Sequence, residues 1–297
     1  MNFNFRQAAP SAAMADPAVV QAEHLLIYAG QSWRERGAMA FADLSKTLAL
    51  WRLVWALSVF DIKLRYRGSI LGPFWLTIST GMMVFALGFL YSELFHIELT
   101  TYLPFISLSL VLWTFISCLV AEGCTCFTTQ EAMLRAMRMP LSMHAARVVV
   151  RNVFVLLHNI LVIVLVFFIL RIMPGKFSFL LIPGFALWLV DGFAICLILG
   201  VLCTRYRDVP PIVASVMQIA FFITPVIWSP AILQHRGRVF LETWNPFFDL
   251  LDIVRAPLLS TPISPAIWGI AVFYSVILVI AAGLVFIQSR ARVAYWV

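Results

Sequence analysis

Apolar residues gather into six long runs separated by short polar or basic connections, at about 74–94, 103–121, 148–170, 178–202, 211–228 and 266–288. Each approaches the ~20 residues that carry an α-helix across bilayer hydrocarbon. The pattern predicts an all-α integral membrane protein with six transmembrane helices, because helices satisfy their own backbone groups in lipid. Ahead of them, 48–65 carries a weaker helical pattern: Trp51, Val54, Trp55 and Ile62 fall near one face, Leu53, Leu57 and Phe60 on the other, with Arg52, Asp61 and Lys63 between. This imperfect amphipathicity predicts an interfacial helix packed against the bundle. A seventh short span is the alternative, and the early charges count against it. Residues 1–45 hold Pro10, Pro17, many alanines and no apolar core of signal-peptide length, so they read as a flexible cytoplasmic extension before a membrane domain at 46–297.

The breaks between runs carry their own signals. In Arg65-Tyr66-Arg67-Gly68-Ser69-Ile70-Leu71-Gly72-Pro73-Phe74-Trp75, charges that cannot enter hydrocarbon meet a run that cannot stay out of it. The two glycines and a proline suited to a first helical turn predict a hinge there. Between the second and third runs, Thr128 and Glu131 have capping-box spacing ahead of Met133, Leu134 and Met137, and Pro140 closes the segment. That predicts a short amphipathic helix over Thr129 to Met139. Between the fifth and sixth runs, Asn245-Pro246 predicts a helix start, running to about Ala256 before Pro257. It is too short to span, and Asp249, Asp252 and Arg255 are costly in lipid, so a re-entrant or surface-lying helix is expected.

Composition agrees: 62% of residues are hydrophobic, 12% are charged, and the mean hydropathy is +0.95, outside the range of soluble domains. The net charge of +7 does not form a nucleic-acid-binding domain, because the basic residues lie beside apolar runs. Their excess in the connections that hold Arg65, Arg67, Arg135, Arg138, Arg147, Arg205, Arg207 and Arg290 puts both termini in the cytoplasm. The cysteines Cys118, Cys124, Cys126, Cys196 and Cys203 have no secreted-domain framework and predict no disulfide. Two ligands at Cys124-x-Cys126 make a poor zinc site, and small buried thiols are the better reading.

Candidate chemistry is sparse. Asp191 lies mid-span, at the expected depth of His158 and Asn159 on the preceding run. A polar site or proton relay is one reading, and hydrogen bonding between helices is the other and the preferred one. Aromatic residues make up 14% of the chain. Phe74, Phe89, Tyr91, Trp113, Phe115, Phe221, Phe222 and Trp228 form a candidate sugar-stacking path, against the ordinary roles of interfacial belt and packed core. No phosphate-binding G-x-x-x-x-G-K-[ST] is present, and no nucleophile with a base or clustered Asp pair supports a membrane enzyme.

The Arg65–Trp75 stretch, with its RYR-x-x-x-LG-x-x-W pattern, resembles the start of the membrane domain of type-2 ABC exporter permeases, particularly those for O-antigen, lipopolysaccharide and capsular polysaccharide. The resemblance continues through Arg205-Tyr206-Arg207-Asp208, Phe221-Phe222-Ile223-Thr224-Pro225 and Asn245-Pro246 to Arg255, and covers roughly Leu48 to the C-terminus. It implies a bacterial inner-membrane permease that forms a homodimer with two copies of a separate ATPase, which binds the ATP and Mg that this chain does not. The implied substrate is a lipid-linked polysaccharide, with a small amphipathic molecule or drug, or another surface glycan such as capsule or teichoic acid, as alternatives. The resemblance further implies that Glu131, Met133, Leu134, Arg135, Met137 and Arg138 belong to an ATPase-coupling helix, for which an ordinary lipid-facing loop is the alternative. It makes Arg65, Tyr66, Arg67, Gly72, Pro73 and Trp75 an interfacial hinge, and Asn245, Pro246, Asp252 and Arg255 part of a periplasmic gate.

Overall fold

The computed structural model describes residues 32–72, 74–137, 139–173, 175–230, 235–261 and 264–297. Of the positions named above, 1–31, Pro73 and Arg138 lie outside the described residues. The helices are α1 (Trp33–Ala49), α2 (Trp51–Arg65), α3 (Phe74–Phe95), α4 (Leu99–Cys124), α5 (Glu131–Ala136), α6 (Ser142–Ile169), α7 (Leu181–Arg205), α8 (Val209–Ile223), α9 (His235–Trp244), α10 (Pro246–Leu258) and α11 (Pro265–Trp296). Among the described residues, α3, α4, α6, α7 with its preceding 3-10 turn, and α11 are long and apolar enough to cross a membrane. The fifth apolar run is shorter than expected. Its helix α8 has 15 residues, ~22 Å of rise, and gives way to extended backbone at Thr224, just before Pro225.

The bundle is organised around α4, which packs against α3, α6, α7, α8 and α10. Its polar side chains do not offend this burial, because Ser109 and Thr114 return their hydroxyls to Phe105 O and Leu110 O one turn back. Small residues bring α4 and α7 together. A Cβ on Gly123 would sit 3.2 Å from Cys196 Cα, and one on Gly200 would sit 2.5 Å from Cys126 Sγ and 2.7 Å from Phe127 Cε2. Between transmembrane helices such close approach supplies the attraction that hydrophobic burial cannot. The cysteines are free; Cys196 and Cys126 are buried in this seam, with Cys126 Sγ 3.4 Å from Cys196 O. By contrast α3 and α11 are mostly uncovered, and α8 has no buried residue at all.

The N-terminal region departs from expectation. Residues 33–49 are helical rather than flexible, starting at a capping box in which Ser32 and Glu35 bond each other's backbone N–H. The helix α1 then lies against α6 and the end of α11. The segment ahead of the long helices is thus two consecutive helices, α1 and α2, meeting at Leu50. Gly68 and Gly72 both have positive φ, +85° and +55°, which is the backbone a hinge between α2 and α3 needs.

The tight α4–α7 seam yields a prediction. Gly200→Val should lower the unfolding midpoint in detergent by an amount equivalent to ~1–3 kcal/mol, the range for overpacking. Gly283→Ala, where a Cβ meets open space, should leave it unchanged or raise it slightly. Thermal scanning by size-exclusion chromatography checks both.

Candidate functional site

Helices that alternate in direction bring the ends of α2, α4 and α7 and the starts of α3 and α6 to one side, and most of the charge meets there. Arg147 Nε donates to Asp61 Oδ2 at 2.6 Å and its Nη2 to Asp61 Oδ1, while Nη1 donates to Gln130 Oε1 at 3.0 Å. Arg151 bridges both carboxylates, with Nη1 3.2 Å from Asp61 Oδ2 and Nη2 2.7 Å from Glu122 Oε2. Glu122 also accepts from Asn152 Nδ2 at 2.6 Å and from Arg65 Nη2 at 2.6 Å. Partial burial draws the Arg65 guanidinium's pKa down, but the hydrogen bond and charge of Glu122 outweigh it and leave the value above its ordinary one. Arg65 thereby fixes the end of α2 to α4. Tyr66 is half-buried beside it, with its phenol pKa pushed up by that burial, while Arg67 and Trp75 are exposed.

A second cluster lies at the start of α6. The Asp43 carboxylate accepts the backbone N–H of Leu141 at 3.1 Å and of Ser142 at 3.0 Å, the Ser142 hydroxyl at 2.6 Å, and Arg290 Nε at 2.9 Å. Thr47 adds a hydroxyl contact to Ser142 at 2.7 Å. A side chain from α1 thus caps α6 and holds α11, and Asp43 is only 2% exposed in doing so. At the same end Arg205 lies over the rings of Tyr206 and Trp296, at 5.3 and 5.1 Å, joining the ends of α7 and α11.

The short helix between α4 and α6 is smaller than expected. It spans Glu131–Ala136, preceded by a 3-10 turn over Thr128–Gln130, and Met137 is already extended. Thr128 makes no capping bond to it; its hydroxyl turns back to Thr125 O at 3.3 Å, and Gln130 holds the N-cap position without a side-chain capping bond. Leu134 and Met133 are half-buried, Leu134 against the core and Met133 with its sulfur 3.6 Å from Arg147 Nη1. Met137 is exposed, and Glu131 pairs with Arg135 on the outer surface at 2.7 Å.

At the opposite side, α10 begins as the sequence predicts. Asn245 Oδ1 accepts the N–H of Phe247 at 3.1 Å and of Phe248 at 3.2 Å, with Pro246 at the first position. The helix runs one residue past Pro257 to Leu258. It does not lie on the surface. Arg255 is 2% exposed; its Nη1 donates to Ser109 Oγ at 3.0 Å and to Pro225 O at 2.7 Å, its Nη2 meets Asp252 Oδ1 at 2.9 Å, and its guanidinium covers the Phe105 ring at 4.6 Å. Trp188 of α7 donates to Leu250 O at 2.9 Å. Since Ser109 lies well inside α4, α10 reaches into the bundle, and the break after α8 is held by the same arginine.

Two expectations are corrected. Asp191 does not meet His158 or Asn159: its Oδ2 accepts from Ser275 Oγ of α11 at 2.7 Å, because the Asp191 face of α7 turns toward α11. The His158 ring instead bonds Phe154 O at 2.7 Å on its own helix and packs edge-on against Phe74, and Asn159 is buried with its Oδ1 unpartnered among the described residues. Nor do the eight aromatics line one path. Trp113 is buried against Phe221 and Phe247, and Phe115 is stacked on Trp188 at 5.7 Å, both because they belong to the central helix. Phe74, Phe89 and Phe222 are exposed, Tyr91 stacks on Phe95, and Trp228 bonds Phe222 O at 3.1 Å.

A family model described as ABC-2 type transporter matches residues 52–259, from α2 to just beyond α10. Over 201 residues the chain is 24% identical to the O-antigen export system permease protein RfbA of Myxococcus xanthus, covering 66% of this chain and 76% of that one. Over 235 residues it is 20% identical to an O-antigen export system permease protein RfbA of Klebsiella pneumoniae, covering 79% of this chain and 90% of the relative.

The Asp43 cluster generates a prediction. Asp43→Ala removes the α6 cap and strands Arg290 beside it, so the protein should lose about 3 kcal/mol, the order seen when one partner of a buried pair is removed. Limited proteolysis should then cut in α1 before any other helix. Asp43→Asn, which keeps an acceptor for the backbone N–H groups, should fall between the variant and the wild type.

Proposed function

The chain belongs to the ABC-2 type transporter family, and we propose that it is the permease subunit of an ATP-driven exporter moving a lipid-linked, O-antigen-like polysaccharide across a bacterial inner membrane. Membership makes it a multi-pass membrane protein and a non-catalytic transport component. The observation that carries the substrate is that the relatives, matched along most of their own length, are named O-antigen export system permeases. A separate ATPase with ATP and Mg supplies the energy. On this reading α8 and the turn after it form the fifth of six spans, both termini are cytoplasmic, and 46–297 is the transport domain, with α2 as its interfacial helix.

Two copies of the chain face each other in this proposal, each with its own ATPase. The exposed apolar faces of α3 and α8, which include Met82, Phe89, Val216 and Phe222, suit a partner of the same kind, and a glycan passing between copies would meet the exposed Phe74, Phe89 and Phe222. The segment Glu131–Ala136 is the coupling helix. Its exposed Glu131, Arg135 and Met137 offer the contact to the ATPase, while the Arg147 contacts to Gln130 and Met133 pass a push directly to α6. Arg255, Asp252, Asn245 and Pro246 hold a gate helix at the opposite mouth.

Deletion of the chain in its host should remove the polysaccharide from the cell surface and leave lipid-linked glycan inside, measured by surface staining and by extraction of the lipid fraction. Unchanged surface glycan would overturn the substrate. Replacing Met133, Leu134 and Met137 together with polar residues should reduce export at least tenfold and release the ATPase from purified permease. Arg135→Ala should have a mild effect, since rim charges contribute less than buried anchors. Wild-type export and copurification in the triple variant would remove the coupling role from this segment.

A further inference from the structure

Between the second half of α6, the first half of α7 and the edge of α10 lies a cavity of about 1170 Å³, lined by Leu156, Val164, Phe168, Ile182, Phe185 and Val254 among other apolar residues. It extends along α6 from Leu156 to Ile169, ~20 Å of helix, and so lies on the side away from the Asp61 and Asp43 clusters. Val164, Phe168 and Ile182 are exposed, which means the cavity opens sideways, where the bilayer would be. One charged residue lines it, Arg171, just past the end of α6. Arg171 is exposed and has a positive φ of 54°. Its guanidinium has no hydrogen-bond or ion-pair partner among the described residues.

We propose that this cavity and Arg171 form a binding site for an anionic glycerophospholipid of the surrounding bilayer, with an acyl chain in the cavity and the phosphate on the guanidinium. The proposal rests on the chain being a membrane protein and is independent of what it exports. The two parts of the site do different work. An acyl chain gains little by leaving other chains for an apolar wall, because lipid tails are as apolar as leucine; the apolar lining supplies a place, not a preference. The preference comes from charge. An arginine presents a planar fork of donors that matches phosphate bidentately, and one basic residue near a membrane surface contributes on the order of a fivefold preference for an anionic headgroup. At ~20 Å the cavity matches one leaflet with its headgroup region, about half of the ~40–45 Å bilayer, and a much longer isoprenoid chain would overrun it.

The site is tested on the full chain extracted in mild detergent with any subunit that accompanies it. Dioleoyl phosphatidylglycerol and dioleoyl phosphatidylcholine are supplied in equal amounts, and retained lipid is counted by native mass spectrometry. Wild-type protein should retain the phosphatidylglycerol in preference. Arg171→Asn removes the charge while keeping a residue that tolerates the left-handed backbone, and should bring the ratio down about fivefold toward parity, whereas Arg171→Lys should keep most of it. Val164→Trp with Ile182→Trp should obstruct the side opening of the cavity, where both residues are exposed, and lower retention of both lipids while the protein stays monodisperse. An unchanged ratio in Arg171→Asn, undiminished retention in the obstructed variant, or retention of a polyprenyl phosphate in place of phospholipid would each overturn the assignment.

Discussion

Three guanidinium groups and two carboxylates meet where α2, α4 and α6 end or begin, and the rest of the architecture on that side of the bundle hangs from that balance. Arg147 and Asp61 are largely buried, at 6% and 11% side-chain exposure, so neither tolerates loss of the other: an uncompensated charge there costs ~3–5 kcal/mol. The geometry also divides the carboxylates unequally. Asp61 belongs to Arg147 and Arg151, while Glu122 is shared among Arg151, Arg65 and Asn152. Arg151 is the link between the two halves, and through it the surface helix α2 is fixed to two long helices at once.

The apolar part of the bundle answers a different constraint. In lipid, burial of hydrocarbon provides no drive to association, so packing and hydrogen bonds must provide it. The seam of Gly123, Gly192 and Gly200 with Leu119, Cys126, Phe127 and Cys196 does this between α4 and α7, and Asp191 with Ser275 adds a polar bond between α7 and α11. Exposure does not follow from hydropathy, which is high in all of these helices: α3, α8 and α11 are left largely uncovered, although α3 has a close approach of Gly88 to Leu103 and a bond from Thr77 Oγ1 to His158 O.

Much of this was legible in local patterns. The apolar runs announced the long helices, Asn245-Pro246 announced the start of α10, and Gly68 and Gly72 announced the turn into α3, because each signal acts on its own neighbours. Non-local bonds were not legible. Asp43 caps a helix that begins about a hundred residues away, and no spacing rule points there, although Ser32-x-x-Glu35 would have revealed α1 itself. Depth places Asp191 level with His158 and Asn159 on the preceding run, whereas its bond goes to Ser275 of α11, a choice made by helix rotation that periodicity leaves open. Thr128 and Glu131 had the spacing of a capping box without its backbone, since the chain there is already in a 3-10 turn. The burial of Trp113 and Phe115 depended on which helix is central, and hydropathy alone ranks six runs as equals.

The same contacts limit where the molecule can move. At one end the surface helices are tied to α4, α6 and α11 by charged hydrogen bonds; at the other, α10 is tied to α4, α7 and the Thr224–Pro225 break by Arg255 and Trp188. Helices joined at both ends respond to force as a body. Beside the exposed helices, regular helix is absent at Ser69–Gly72 before α3 and at Thr224–Trp228 after α8, among other breaks. Positive φ at Gly68 and Gly72 makes the first junction compliant in backbone. At the second, Tyr102 donates to Ile227 O and Arg255 to Pro225 O, so this junction is held rather than free. A displacement delivered at Glu131–Ala136 would therefore travel through Arg147 into α6 and carry α4 and α10 with it, while α3, hinged at its base and sparsely packed, is the helix best able to lag. On the export reading, the widening of a path is then a relative motion of α3 and the α4–α6–α7 body, with no span required to bend.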